Sequence, residues 1–387
     1  MLPEPYGGRL VNRLAGAAEV EKRLAERKDL PTIQPFIDQV YDAEKIGIGA
    51  YSPLEGFMDS GTLESVLSRD RLPNDLAWTM PILLAPSSPQ DLKTLAPLRP
   101  GDEIGLADER GALFAVLRLR EKFPIDPGRI AQSTYGTTDR AHPNVADIFA
   151  LGPEAISGPI ELLRRLDLPA GRDELTPVET RAEFSRRGWN HVAAYQCRNP
   201  PHTAHEYLQR LTLEREDVDG LFIHPVVGRL KKGDYRPDII LSAYRELVNN
   251  YYPKQRVLMS ALSITMRYAG PKAALFLAIV RKNYGCSHYI VGRDQAGVGS
   301  YYDPYAAHRI FDRFDIGIQP LRYEETFFCR ACGSMATPKT CAHPKEQQVA
   351  TSQTRIRTAL ANREPLPSEI IRPEVAAILG GTDNVLT

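Results

Sequence analysis

The sequence predicts an α/β protein built around a parallel sheet with helices on its faces. Three observations predict it. Between residues 190 and 292, four short apolar runs alternate with three segments of helical periodicity. Two of those runs end in polar turns rich in hydrogen-bonding side chains. The chain has 387 residues, of which 43% are hydrophobic and 25% charged, enough for a large core and two or three domains.

Residues 1–168 read as a β-rich unit with attached helices. Ala17 to Arg27 is rich in Ala, Glu and Leu and reads as a helix. Trp78 to Leu84 reads as a strand. Glu103 to Ala107 and Ala112 to Leu119 flank Asp108-Glu109-Arg110-Gly111, a hairpin turn by composition. Asp147 to Leu151 and Leu162 to Leu166 are apolar pieces separated by Gly and Pro. No catalytic cluster stands out in this half.

Residues 169–325 carry the alternating pattern. Val192 to Tyr195, Gly220 to Val227, Arg256 to Leu262 and His288 to Val291 read as strands. His202 to Glu216, Asp238 to Asn249 and Pro271 to Asn283 read as helices, Pro271 being suited to a first turn. In such parallel sheets, ligands sit outside the carboxyl ends of the strands. Residues 326–387 open with a cysteine cluster and close with helices over Ser352 to Ala361 and Pro373 to Leu379.

Composition excludes some functions. Lys+Arg and Asp+Glu both number 48, so the formal charge is zero, which argues against general nucleic-acid or membrane-surface binding. No apolar run is long enough to span a membrane, and Met1 to Pro5 does not resemble the start of a signal peptide. Five cysteines, three of them clustered, do not form a secreted disulfide framework. The expectation is a cytoplasmic protein.

The most informative stretch joins a strand to a helix: Gln196-Cys197-Arg198-Asn199-Pro200-Pro201-His202-Thr203-Ala204-His205-Glu206. A helix N-terminus already favours anions through its free N–H groups and dipole. Arg198 adds a planar fork of donors suited to a tetrahedral oxyanion. Gln196 adds a neutral donor, and His202 and His205, one turn apart, share a face toward phosphate oxygens. Two histidines at that spacing more often merely decorate a helix. The Gln-x-Arg-Asn-Pro before them and the strand-to-helix position reverse those odds. A metal reading is the alternative, although the His-Glu-x-x-His spacing is absent and no third ligand stands nearby in the sequence.

Three further turns are weaker signals. Gly292-Arg293-Asp294-Gln295-Ala296-Gly297 follows a strand, and its glycines let the backbone approach a ligand closely. Met266 to Pro271 sits at the same sheet edge, but on spacing alone it is an ordinary helix-entry loop. Val227 to Asp234 is a basic loop, equally suited to closing over phosphates or to lying in solvent. A separate cluster, Cys329, Cys332, Cys341 and His343, is a Cys3His set suited to a closed, structural zinc site.

Taken together, these motifs resemble the ATP sulfurylase (sulfate adenylyltransferase) family. Its Gln-Thr-Arg-Asn-Pro-x-His-x-x-His-Glu matches Gln196 to Glu206, its Met-Arg-Tyr-Ala-Gly-Pro matches Met266 to Pro271, and its Gly-Arg-Asp-His-Ala-Gly matches Gly292 to Gly297. Ser52 to Met58, Arg281 to Cys286 and Arg372 to Val375 also look like family segments. The resemblance implies a PUA-like N-terminal domain, a Rossmann-like nucleotidyltransferase domain and a small C-terminal domain. It implies sulfate at Gln196, Arg198 and the Ala296 backbone, and ATP phosphates at His202 and His205. Asn199 would meet the α-phosphate region, and Gly292, Arg293 and Asp294 would border the adenosine.

The implied reaction converts ATP and sulfate to adenosine 5′-phosphosulfate and pyrophosphate, with Mg²⁺ accompanying ATP, by in-line attack of sulfate on the α-phosphorus. Arg198, Asn199, His202 and His205 would be its catalytic groups, and a homodimer its assembly. Two positions depart from the pattern: Cys197 replaces Thr and Gln295 replaces His. Some relatives continue into an adenylylsulfate kinase domain where this chain stops, so kinase activity is not expected. The rival readings are another HxxH nucleotidyltransferase, or a nucleic-acid-binding zinc module on a degenerate nucleotide fold. The first would include a class I aminoacyl-tRNA synthetase, whose Lys-Met-Ser-Lys-Ser-like loop is missing here.

Overall fold

The computed structural model describes residues 1–168, 170–229, 233–381 and 384–387. Its described strands form three sheets of six, five and three strands. Among the described residues no helix is long and apolar enough to cross a membrane.

The six-stranded sheet belongs to the N-terminal part. Its hairpin is as the turn chemistry predicts: Glu103–Ala107 pairs antiparallel with Leu113–Arg118. Asp108 Oδ1 accepts from the N–H groups of Arg110 and Ala112, closing the turn. The longest strand, Glu154–Leu162, is one the sequence hides, because Gly158-Pro159 interrupts its apolar run. Gly158 is required there: a Cβ would sit 1.9 Å from the Arg118 carbonyl oxygen. Trp78 to Leu84 is not a strand. It is a buried extended segment containing Pro81, and it makes an isolated bridge only at Leu84, to Ile156.

The five-stranded sheet is parallel throughout. Its spatial order is Gln319–Arg322, His288–Val291, Val192–Tyr195, Gly220–Ile223, Val257–Met259. Strands succeed one another outward from Val192–Tyr195 in one direction, then the chain returns to build outward on the other side. The topological switch point therefore lies between Val192–Tyr195 and His288–Val291. These are the two strands that run into the Gln196 and Gly292 turns.

Side-chain alternation splits the core into two layers on the faces of this sheet. Val192, Ala194, Phe222, Tyr289 and Val291 face a layer shared with the N-terminal part and the Pro271–Asn283 helix. Ala193, Tyr195, Leu221, Ile223 and Ile290 face the other. That second layer holds the Pro237–Tyr251 helix together with Val349, Ile356, Ile370 and Val375 from the C-terminal segment. A buried ion cluster crosses the first junction. Lys45 lies 2.5 Å from Glu44 and 2.7 Å from Glu174, and Arg165 lies 2.7 Å from Glu44.

Candidate functional site

The carboxyl edge at the switch point opens into a cavity of about 750 Å³. It brings together Gln196, Arg198, Asn199, His202 and His205 with Gly292, Arg293, Asp294, Gln295 and Ala296. A second cavity of about 390 Å³ lies at the N-terminal junction, and none of the residues named for the anion and nucleotide site line it.

The Thr203–Leu213 helix starts at this cavity. His202 is its N-cap residue and places no side-chain oxygen on the first turn, while the Thr203 N–H goes to the Ile370 carbonyl. The His202 and His205 rings stack with centroids 3.6 Å apart. Burial pushes His202 down to about 4. His205 is pushed well down as well, by burial and then by its neighbour His202. Both rings are neutral at pH 7, and their buried Nδ1 atoms meet no protein partner among the described residues. Glu206, which closes the motif, faces away from this chemistry. It is bidentate with Arg372 at 2.7 and 2.8 Å and also receives Arg210 at 2.7 Å. Its burial raises the carboxyl, but the two guanidiniums outweigh it and hold Glu206 below the usual range.

Arg198 is already partnered. It donates to Asp234 Oδ1 at 3.1 Å and lies over the Tyr268 ring at 4.7 Å. A guanidinium has five N–H donors, so this fixes the fork and leaves others for an anion. Asn199 Oδ1 accepts from Arg357 at 3.1 Å. Cys197 turns into the second core layer, where burial pushes its thiol up to about 12. A neutral, buried thiol is no nucleophile, so the Thr-to-Cys departure is a packing change.

The Gly292 turn is shaped by two residues with left-handed backbone, Asp294 (φ 55°) and Ala296 (φ 58°). A Cβ at Gly297 would meet Asp294 Oδ1 at 2.2 Å, so a larger residue there would push the Asp294 side chain aside. The Ala296 carbonyl accepts the Gly270 N–H at 3.1 Å, which ties this turn to the Met266–Pro271 loop. Of that loop only Met266 lines the cavity; Arg267 points the other way and pairs with buried Asp42 at 2.5 Å. In the basic loop, Arg229 pairs with Asp38 at 2.5 Å and Asp147 at 2.9 Å, and Leu230, Lys231 and Lys232 lie outside the described residues. Gln295 Nε2 donates to Gln196 Oε1 at 2.5 Å, a direct contact between the two motifs.

Several lining residues escape a sequence reading. Glu324 and Glu325 follow the Gln319–Arg322 strand, and Lys345, Thr351, Ser352 and Gln353 come from the C-terminal segment. Gln353 Nε2 donates to the Pro200 carbonyl at 2.8 Å, which fixes that segment against the first motif. The polar run after the cysteine cluster is the only sequence signal for Lys345, Thr351, Ser352 and Gln353, and none marks Glu324 or Glu325.

The four residues of the cysteine cluster converge. One ligand atom from each of Cys329, Cys332, Cys341 and His343 lies within 4.8 Å of the others. Cys332 and Cys341 sulfurs are 3.9 Å apart, and His343 Nδ1 is 3.3 to 3.7 Å from the three sulfurs. A tetrahedron with Zn–S of ~2.3 Å and Zn–N of ~2.0 Å has edges of roughly 3.5 to 3.8 Å. The donor set and its spacing fit a closed metal site.

A doubly wound parallel sheet with an anion-suited pocket at its switch point defines a nucleotide-handling α/β enzyme. Comparison with known proteins narrows the class. A family described as ATP-sulfurylase matches residues 172–381, and a PUA-like domain matches residues 3–165. The chain belongs to the ATP-sulfurylase family. It is 46% identical over 378 residues to a sulfate adenylyltransferase of Symbiobacterium thermophilum, covering 97% of this chain and 95% of the relative. It is 42% identical to one of Thermococcus onnurineus, covering 98% of each. A solved hexameric APS kinase from Thiobacillus denitrificans shares the fold with a TM-score of 0.74 and 26% identity, over 98% of this chain and 68% of that one.

Proposed function

We infer that the protein catalyses adenylyl transfer from ATP to sulfate, giving adenosine 5′-phosphosulfate and pyrophosphate, reversibly. The observation that carries this reading is the meeting of the Gln196–His205 and Gly292–Gly297 segments in one cavity at the switch point. Sulfate is fully ionised at neutral pH, so no general base is needed. Catalysis then rests on positioning and charge stabilisation. In this proposal Gln196, Arg198 and the Ala296 N–H hold sulfate for in-line attack on the α-phosphorus. His202 and His205 donate to the leaving phosphates, and Asn199 meets the α-phosphate. Gly292, Arg293 and Asp294 border the adenosine.

Mg²⁺ enters with ATP and neutralises phosphate charge when bound. Zn²⁺ held by Cys329, Cys332, Cys341 and His343 would be structural, since four protein ligands leave no open position. The division into units 1–168, 169–325 and 326–387 belongs to the same proposal and is supported by one sheet in each. So do a homodimeric assembly and a cytoplasmic location, to be checked by light scattering and by fractionation.

The test is ATP formation from adenosine 5′-phosphosulfate and pyrophosphate with Mg²⁺, beside an Arg198→Ala control. Removing one preorganised donor costs ~10²–10³ in rate, and a loss of that order is expected with the fold intact. No ATP from folded, metal-replete protein would overturn the reading in favour of another nucleotidyltransferase.

A further inference from the structure

Two cavity-lining side chains, Gln196 and Gln295, form a hydrogen-bonded triangle with Tyr289, which is buried behind them. Gln295 Nε2 donates to Gln196 Oε1 at 2.5 Å and to the Tyr289 hydroxyl at 3.1 Å. The Tyr289 hydroxyl in turn donates to Gln196 Oε1 at 3.4 Å. Gln196 is 7% exposed and Tyr289 fully buried, while Gln295 is partly buried, so the Tyr289 side of the triangle is shielded from bulk water. Burial also pushes the Tyr289 phenol up, which keeps its proton on the oxygen.

The triangle has a direction. A carboxamide oxygen has two lone pairs and its nitrogen two N–H bonds. Gln196 Oε1 is held by the short bond from Gln295 at 2.5 Å, with the Tyr289 hydroxyl a longer, weaker contact at 3.4 Å. The Gln196 NH2 group is therefore turned to the opposite side, and among the described residues no acceptor meets it. The reverse arrangement, with Gln196 donating to Gln295, would aim a carbonyl lone pair at an arriving anion. The polarity of one amide thus decides whether this wall of the cavity attracts or repels an oxyanion.

We propose that Gln295 and Tyr289 are positioning residues that lock the Gln196 carboxamide with its NH2 group toward the sulfate subsite before sulfate arrives. The proposal rests on the sulfate adenylyltransferase reading and deepens it. It also gives Gln295 a role, where the motif elsewhere carries histidine. The amide supplies the same donor as a neutral imidazole N–H, from a group that does not titrate. The lock is set inside the protein, so binding need not reorganise it.

Sulfate and ATP KM values are measured for the wild type and four variants. Gln295→Met removes both donors at similar volume and without charge. Its sulfate KM rises about tenfold, the equivalent of one net hydrogen bond to a charged group, while its ATP KM stays within about twofold. Gln295→Glu accepts only, forces Gln196 to donate to it, and raises the sulfate KM further. Tyr289→Phe removes one donor of two and has the smaller effect. Gln295→His restores a donor and recovers most of the affinity lost in Gln295→Met. Its sulfate KM also changes relative to the wild type as pH falls through about 6.5, where imidazole charges. Thermal melting identifies any variant that fails to fold, and Tyr289→Phe and Gln295→His then decide.

An unchanged sulfate KM in Gln295→Met overturns the lock, and so do sulfate and ATP KM values that rise in parallel. A wild type without activity overturns the functional reading first and the lock with it. An active wild type with an unaffected Gln295→Met overturns the lock alone.

Discussion

Arg357, on the Gln353–Ala361 helix, donates to Asn199 Oδ1 at 3.1 Å while its guanidinium lies over the Tyr235 ring at 5.0 Å. The C-terminal segment thereby grips the turn that carries the first anion motif. An Asn199 whose oxygen is held by Arg357 presents its NH2 group elsewhere. Arg357→Ala is expected to lower kcat about tenfold, a cost of order one lost charged hydrogen bond. The melting midpoint should move little, since Arg357 is partly exposed. Steady-state kinetics with a melting curve check this, and an unchanged kcat would place Asn199 outside the reaction.

The stacked imidazoles make the site sensitive to acid. Burial holds His202 near 4 and His205 well below its usual value, against about 6.5 in an unfolded chain. The unfolded chain therefore binds more protons across that window. Their contribution to stability is fully present above about pH 6.5 and is lost as pH falls toward 4. Pyrophosphate beside the rings favours their charged forms, so its binding at pH 6 should take up protons. Calorimetry in two buffers of different ionisation enthalpy measures this. Because pyrophosphate itself titrates in this range, the uptake is compared with that of a His202→Asn/His205→Asn variant, and equal uptake in both would remove the imidazoles from the phosphate site.

Lys45 is the buried cation between Glu44 and Glu174, and all three side chains are fully enclosed. Lys45→Met leaves two carboxylates with one fewer counter-charge. Breaking a buried pair from one side costs about 3–5 kcal/mol. Urea unfolding should show a loss in that range, and Glu174→Gln added to Lys45→Met should recover part of it. A loss under 1 kcal/mol would mean that water reaches the cluster.

Cys341→Ser is expected to abolish tight zinc binding and to lower the melting midpoint. Lys345, Gln348 and Pro338 surround the cluster and also line the cavity, so ATP KM should rise as well. Elemental analysis of wild type and variant gives the metal content directly. Equal zinc in both would remove Cys341 from the ligand set.

The central sheet was legible because four of its strands are short apolar runs ending in polar turns, the signature of strands buried on both faces. The fifth, Gln319–Arg322, was not. It is an edge strand containing Pro320, and only Leu321 is buried, so it has no apolar run to see. The motif residues around Gln196 and Gly292 were legible because their chemistry is local. Arg357, Gln353 and Lys345 were not, since a polar residue that reaches a distant pocket looks in sequence like one that reaches solvent. The contact between Gln196 and Gln295 joins residues 99 positions apart and leaves no periodic trace.

The alternation along Val192–Tyr195 and its neighbours gives each face of one sheet to a different flanking part of the chain. Neither part could be exchanged by recombination without stripping one face of its cover. Grafting a foreign domain onto the sheet would require recutting every second residue of the strands beneath it.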